Sequence, residues 1–431
     1  MDTTRTGEIT MRHARHGLST LLCAGVTLLA SLTVSAAPPV AIGINYPRSG
    51  EYSQEGLMQM RGALMAIDEI NAAGGVLGRP ITLLEADTAS RPAQAADNVD
   101  QLADQGARML FGGSSSAVAV AAGQRARQRG LLYFGTLTYS NDTTGKDGHR
   151  YMFRECYNAW MSSRVLGQHL REHFADQRYF YITADYTWGH TTEASMRRFT
   201  DTESEGDHGR TMIPFPGGRY RQIQAALTEA AESEAEVLVM VLFGNQMVTA
   251  MRIAHEMGLT RRMQIVVPNL TLSMVEQAGP GIMAGVLGAS PWTWNVPFHY
   301  DYPRGQAFVN AFAERYETYP STSAASAYSI VYQWRDAVER ARSFDSERLI
   351  AALEGHRYSL LKDEQQWRAF DHQNVQTVYA VRINPRETVM ADRFRQNYFE
   401  ILDAMDGERA AQTQVEWIAE RRRYGQPPRL E

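Results

Sequence analysis

The sequence predicts an α/β protein of two doubly wound parallel-sheet lobes, and three observations carry that expectation. Short apolar strands alternate with helical stretches from Val40 onward. The alternation pauses at a polar, Gly-containing loop, Thr143–Gly148, and then restarts. The chain remaining after an N-terminal export signal, about 395 residues, is too long for one ordinary core. A βαβα rhythm of this kind implies parallel sheets covered by helices on both faces.

The export signal comes first. Arg5, Arg12 and Arg15 precede an apolar stretch from Gly17 to Val34, and small residues lead up to Ala36-Ala37. This is the pattern of a secretory signal peptide over residues 1–36, with cleavage after Ala36. A reading from Met11 would already be complete, so Met1 and Met11 both stand as starts. The apolar segment is interrupted and short for a membrane span. Leu22 stands before Cys23 where lipoprotein processing wants Gly or Ala.

In the first unit, Val40–Asn45 reads as a strand, and Leu57, Met60, Leu64 and Ile67 recur at helical spacing. Gly74-Gly75 ends that helix, because glycine supplies the left-handed turn at a helix C-terminus. Ile81–Glu85, Met109–Phe111 and Leu131–Phe134 are further strands, with helices opening near Pro92 and Ala117. In the second unit Tyr179–Thr183, Met212–Phe215, Val237–Leu242 and Ile265–Val267 are strand candidates between helices such as Arg219–Ala231 and Met247–Met257. Pro291–Pro297 reads as a return crossing, helices follow near Gly305–Tyr316 and Ala324–Arg342, and Arg421–Pro428 reads as a loose tail.

Removal of residues 1–36 leaves 40 basic and 46 acidic side chains. A mildly acidic chain without a basic run has no electrostatic footprint for nucleic acid. Only Cys156 remains, so no intramolecular disulfide is possible.

A more specific series then appears: Gly43-Ile44-Asn45-Tyr46-Pro47-Arg48-Ser49-Gly50, Gly62-Ala63, Ile67 through Ile81 (IDEINAAGGVLGRPI) and Asp87-Thr88. It resembles the opening of the type I periplasmic solute-binding proteins, the leucine/isoleucine/valine-binding and amide/urea-binding family. The resemblance continues through Phe111-Gly112-Gly113-Ser114-Ser115-Ser116 and Asp185-Tyr186-Thr187-Trp188-Gly189 and weakens after about residue 300. It implies a three-crossing hinge, with residues 37–153 and 295–360 in lobe I and 154–294 and 361–431 in lobe II. It also implies capture of a small polar solute (amino acid, amide, urea-like or carboxylate) in the periplasm. The permease and ATPase of an ABC importer would be the partners, with no cofactor, metal or catalysis. An exported sensor reporting to a kinase is the alternative on the same fold.

Ligands of open parallel sheets bind at the carboxyl ends of the strands. On lobe I that selects Ser114, Ser115 and Ser116, where hydroxyls and free backbone N–H groups converge, then Thr136 and Thr138, and then Ser49 and Tyr52 beside Arg48. On lobe II the matching positions are Tyr186, Trp188, Phe243-Gly244-Asn245 and Asn269. Trp292 and Trp294 lie near the return crossing. The resemblance departs at Asn269, because branched-chain amino-acid binders place a carboxylate there to hold the ligand's ammonium. Asparagine hydrogen-bonds but cannot neutralise a charge, leaving Glu155 and Asp185 as substitutes.

Enzymatic readings find little support. Ser116 breaks the G-x-S-x-G pattern of a nucleophile elbow, and neither a dinucleotide fingerprint nor a phosphate loop is present. His169 and His173, four apart on a helix, have no Cys or third His nearby in sequence. Cys156 reads either as a soft-metal ligand or as a small buried hydrophobe.

Overall fold

The computed structural model describes residues 37–113, 115–204 and 206–431; the expected export signal, with its cleavage site and Cys23, lies outside them. The first sheet contains β1 (Val40–Tyr46), β2 (Ile81–Asp87), β3 (Leu110–Gly112), β4 (Tyr133–Gly135) and β5 (Met152–Arg154). Their order is β2-β1-β3-β4-β5, and every pairing is parallel. Helices α1 (Ser53–Ala72), α2 (Pro92–Asp104) and α3 (Ser116–Gln128) make the crossovers. The inward stripe of α1 carries Met58, Met65, Ala66 and Ile70, at the helical period. It packs on a later helix, Thr322–Ala341. Gly62 permits that approach, since a Cβ there would stand 2.1 Å from the Ala324 carbonyl oxygen.

The second unit opens with α4 (Ala159–Phe174) and continues through β6 (Tyr179–Asp185), α5 (Thr187–Thr200), β7 (Gly209–Pro214), α6 (Tyr220–Glu232) and β8 (Val237–Val241). It ends with α7 (Gly244–Glu256), β9 (Gln264–Val267), α8 (Leu272–Ala278) and β10 (Leu287–Ser290). All residues of β8 are buried, as an apolar strand covered on both faces requires. The order β7-β6-β8-β9-β10 repeats the topology of the first sheet.

The C-terminal third departs from the expected rhythm. β11 (Arg357–Tyr358), β12 (Gln365–Trp367) and β13 (Asn374–Val375) form a small antiparallel sheet, tied to the first lobe by an Arg154–Gln373 bridge. The chain joins the second sheet again at β14 (Val378–Ile383), later than the crossing expected near residue 360. β14 and β15 (Phe399–Met405) then add antiparallel strands beside β10, so this sheet is mixed. Antiparallel neighbours need no crossover helix, and only the six-residue helix Arg386–Ala391 lies between these two.

The end of the chain is not loose. In the helix Gln414–Arg423, Trp417 donates its indole N–H to the Thr144 carbonyl at 2.8 Å. Arg421, 2% exposed, donates to the carbonyls of Gly145, Gly148 and Pro427. A buried guanidinium persists only with its donors satisfied, and the Gly145–Gly148 turn supplies the acceptors. Among the described residues no helix is long and apolar enough to cross a membrane.

Candidate ligand cleft

The strand order reverses between β1 and β3 in the first sheet and between β6 and β8 in the second. Crevices outside the carboxyl ends of strands at such reversals are where ligands of open sheets bind. Here the two sets of loops face each other. Tyr52, before α1, stacks on Phe215 with ring centroids 5.8 Å apart and meets Phe243 edge-on at 5.4 Å. Tyr139, after β4, lies 5.9 Å from Phe243. The lobes therefore touch across the cleft, which is closed. Gly244 makes the contact possible. Its φ is +57°, and a Cβ there would lie 2.7 Å from the Tyr52 ring.

The loops enclose a small cavity of about 10 Å³, lined by Ser115, Ser116, Leu137 and Tyr139 of the first lobe and Tyr186, Trp188 and Phe243 of the second. Ser115 caps α3, its Oγ accepting from the Val118 amide, and Ser116 Oγ accepts from the Ser140 amide at 2.9 Å. The N-terminus of α3 thus brings its first-turn amides and the positive end of its dipole to the pocket. Trp188 is 2% exposed, and its indole N–H finds no acceptor among the described residues. The Trp188 indole and the α3 terminus offer donors, and among the described residues no carboxylate lines the pocket, an arrangement suited to a carbonyl or carboxylate head. Rings supply the rest: Tyr186 stacks on Phe215 at 4.2 Å, and Trp188 meets Phe243 edge-on at 6.0 Å.

The remaining candidates fall elsewhere. Ser49 is exposed with Arg48, and its Oγ donates to Asp87 at 2.6 Å. Thr136 donates to Gln59 Oε1 at 3.0 Å, and Thr138 pairs with Thr143 at 2.6 Å, so both hydroxyls are spent inside the first lobe. Asn245 is exposed on α7. Asn269 is buried; its amide N–H donates to the Tyr157 hydroxyl at 2.9 Å, while its Oδ1 has no partner among the described residues. Ser114 lies outside the described residues. Asp185 is exposed and pairs with His190 at 2.8 Å.

Glu155 directly follows β5, the last strand of the first sheet. It accepts from Ser326 and lines a separate cavity with Lys362, whose ammonium donates to the carbonyls of Pro291 at 2.6 Å and Thr377 at 2.7 Å. Trp292 packs edge-on against Phe308, and Trp294 stacks on Tyr319 at 3.9 Å. Cys156 is 2% exposed, and burial pushes its thiol up to about 12, which keeps it protonated and unreactive. His169 and His173 stack at 4.3 Å, and no group of three metal-ligating side chains occurs among the described residues.

Two contributors to the closed cleft escape the sequence reading. Phe215, at the end of β7, looks like core because aromatic residues at strand ends usually are. Glu55 leaves a clearer signal: it stands on the inward stripe of α1, three residues before Met58 and seven before Gly62, where a carboxylate is out of place.

Comparison with known proteins agrees with this geometry. Residues 39–388 match the model of a family described as periplasmic binding protein, and the chain belongs to that family. It is a solute-binding protein and not an enzyme. It is 24% identical over 389 residues to the Leu/Ile/Val-binding protein homolog 4 of Brucella melitensis, covering 86% of this chain and 90% of that one. A periplasmic binding protein of Burkholderia mallei superposes with a TM-score of 0.78 at 22% identity, covering 88% of this chain and 97% of that one. The substrate-binding protein of a branched-chain amino acid transporter from Streptococcus pneumoniae, in complex with isoleucine, gives a TM-score of 0.72 at 22% identity, covering 85% and 99%.

Proposed function

We propose that the protein is the periplasmic capture subunit of an ABC importer, closing its lobes over a small polar solute and handing it to a membrane permease and its ATPase. The observation behind this reading is the pocket itself, to which the loops at both chain reversals contribute, so that neither lobe alone forms it. In this closed form it holds about 10 Å³, room for about one water, so a solute enters only as the lobes part. The α3 terminus and the Trp188 indole suit a carbonyl or carboxylate end, and the rings suit a compact apolar remainder. An amide, a urea-like solute, a small carboxylate or a small amino acid fits this description, and the relatives' branched-chain ligands define the amino-acid end of the range.

The test is a thermal-shift and calorimetric screen of the purified chain from Ala37 with these solute classes, followed by small-angle scattering with each hit. Binding at a hundredfold excess over Kd stabilises by about 2.7 kcal/mol, and the true ligand should compact the protein. A hit that binds tightly without compaction, or that is converted to product, rejects the capture reading.

A further inference from the structure

Glu55, on the first turn of α1, is 2% exposed. Thr271, the cap of α8 on the opposite lobe, donates to its Oε1 at 2.5 Å, and Ser323 of the helix Thr322–Ala341 donates to its Oε2. Among the described residues no cation pairs with it. The other ionisable groups in its field are Glu276 from α8 and the Tyr139 phenol from the loop after β4, and neither is positive. Hydroxyls donate or accept as needed, so the cluster stays satisfied with or without a proton on Glu55. The charge is what it cannot offset. A carboxylate buried without a counter-charge takes up a proton instead.

On the proposed two-lobe closure, opening the cleft would carry Thr271 away with its lobe and return Glu55 to water. We propose that Glu55 is a proton-gated latch: closure of the cleft takes up a proton on Glu55, so acidification favours the closed form and rising pH releases it. The proposal rests on the two-lobe closure of the proposed function but not on the identity of the solute.

The sign follows from the two states. Burial raises the carboxyl of Glu55 in the closed form above its ordinary value of 4.5, with the hydroxyl bonds holding it back only in part. The latch therefore contributes fully below the ordinary value, and its contribution is lost as pH rises through the raised one. One proton limits the effect to about tenfold in the closed-to-open ratio per pH unit.

The test needs no ligand. Leu57 on α1 and Tyr220 on α6 are 43% and 52% exposed on opposite lobes. Spin labels on L57C and Y220C would report the closed-to-open ratio by pulsed dipolar spectroscopy between pH 4 and pH 8. The ratio should rise up to tenfold per unit as pH falls. In Glu55→Gln, which keeps the hydrogen bonds without the charge, it should not vary with pH. Glu55→Met serves the same purpose if that variant fails to fold. Glu155→Gln should retain the slope. A slope that survives both Glu55 substitutions, a slope abolished by Glu155→Gln, or no slope in the otherwise unsubstituted chain overturns the latch. None of these outcomes depends on which solute is carried.

Discussion

The two lobes share one strand order, β2-β1-β3-β4-β5 in the first and β7-β6-β8-β9-β10 in the second, yet they equip the cleft differently. The first presents Ser115 and Ser116 at a helix N-terminus; the second presents Tyr186, Trp188 and Phe243. Topology therefore places the crevice, and loop composition decides what lines it. On the proposed capture reading the polar contacts would come from one side, and the other would supply a wall that excludes water as the cleft closes.

The largest effect should come from the aromatic wall. Trp188→Ala removes a fully buried ring that touches both Tyr186 and Phe243. Large-to-small core changes of this kind cost about 3–5 kcal/mol, read as a lower unfolding midpoint. A loss under about 1 kcal/mol would mean that the second lobe's rings are not a packed wall.

Next comes the contact between lobes. Gly244→Ala places a side chain at positive φ and against Tyr52. Strain of about 1–3 kcal/mol should appear in ligand affinity and in scattering as a more open form. A variant that closes normally would show that the lobes do not need this approach.

The polar side should respond less. Ser115→Ala removes the cap of α3, typically worth about 0.5–2 kcal/mol, and should weaken a ligand carbonyl or carboxylate more than its apolar part. Calorimetry across a ligand series would separate the two. Smallest of all, Asn245→Ala and Ser49→Ala alter exposed residues away from the pocket and should change affinity by less than about 0.5 kcal/mol. A larger loss at either would move the site outward.

Much of this was legible in the sequence because apolar strands and glycine-ended helices are local signals. Val40–Asn45 and Ile81–Glu85 lie inside β1 and β2. β11 and β13 escape because strands of two residues carry no period. The site divides in the same way. Ser115, Ser116, Tyr186 and Trp188 follow strands directly, and the chain reversal brings them together. Thr136 follows a strand too, but its hydroxyl is taken by Gln59, 77 residues away in sequence, and no local pattern reveals that partner. Glu55 differs: its place on the apolar stripe of α1 is a local signal, and only its partners Thr271 and Ser323, from distant segments, stay hidden.

The C-terminal segment bears on the order in which the molecule assembles. The first lobe borrows the helix Thr322–Ala341 to cover α1, and the second lobe's sheet is completed only by β14 and β15. The last helix then returns to clamp the Thr144–Gly148 turn of the first lobe, and the Arg150 amide donates to the carbonyl of Glu431 at 3.2 Å. Neither half can finish folding while the residues after Val378 are still being synthesised. Contacts of such long sequence separation make for slow folding, which leaves an interval in which the unfinished chain is open to binding by other factors.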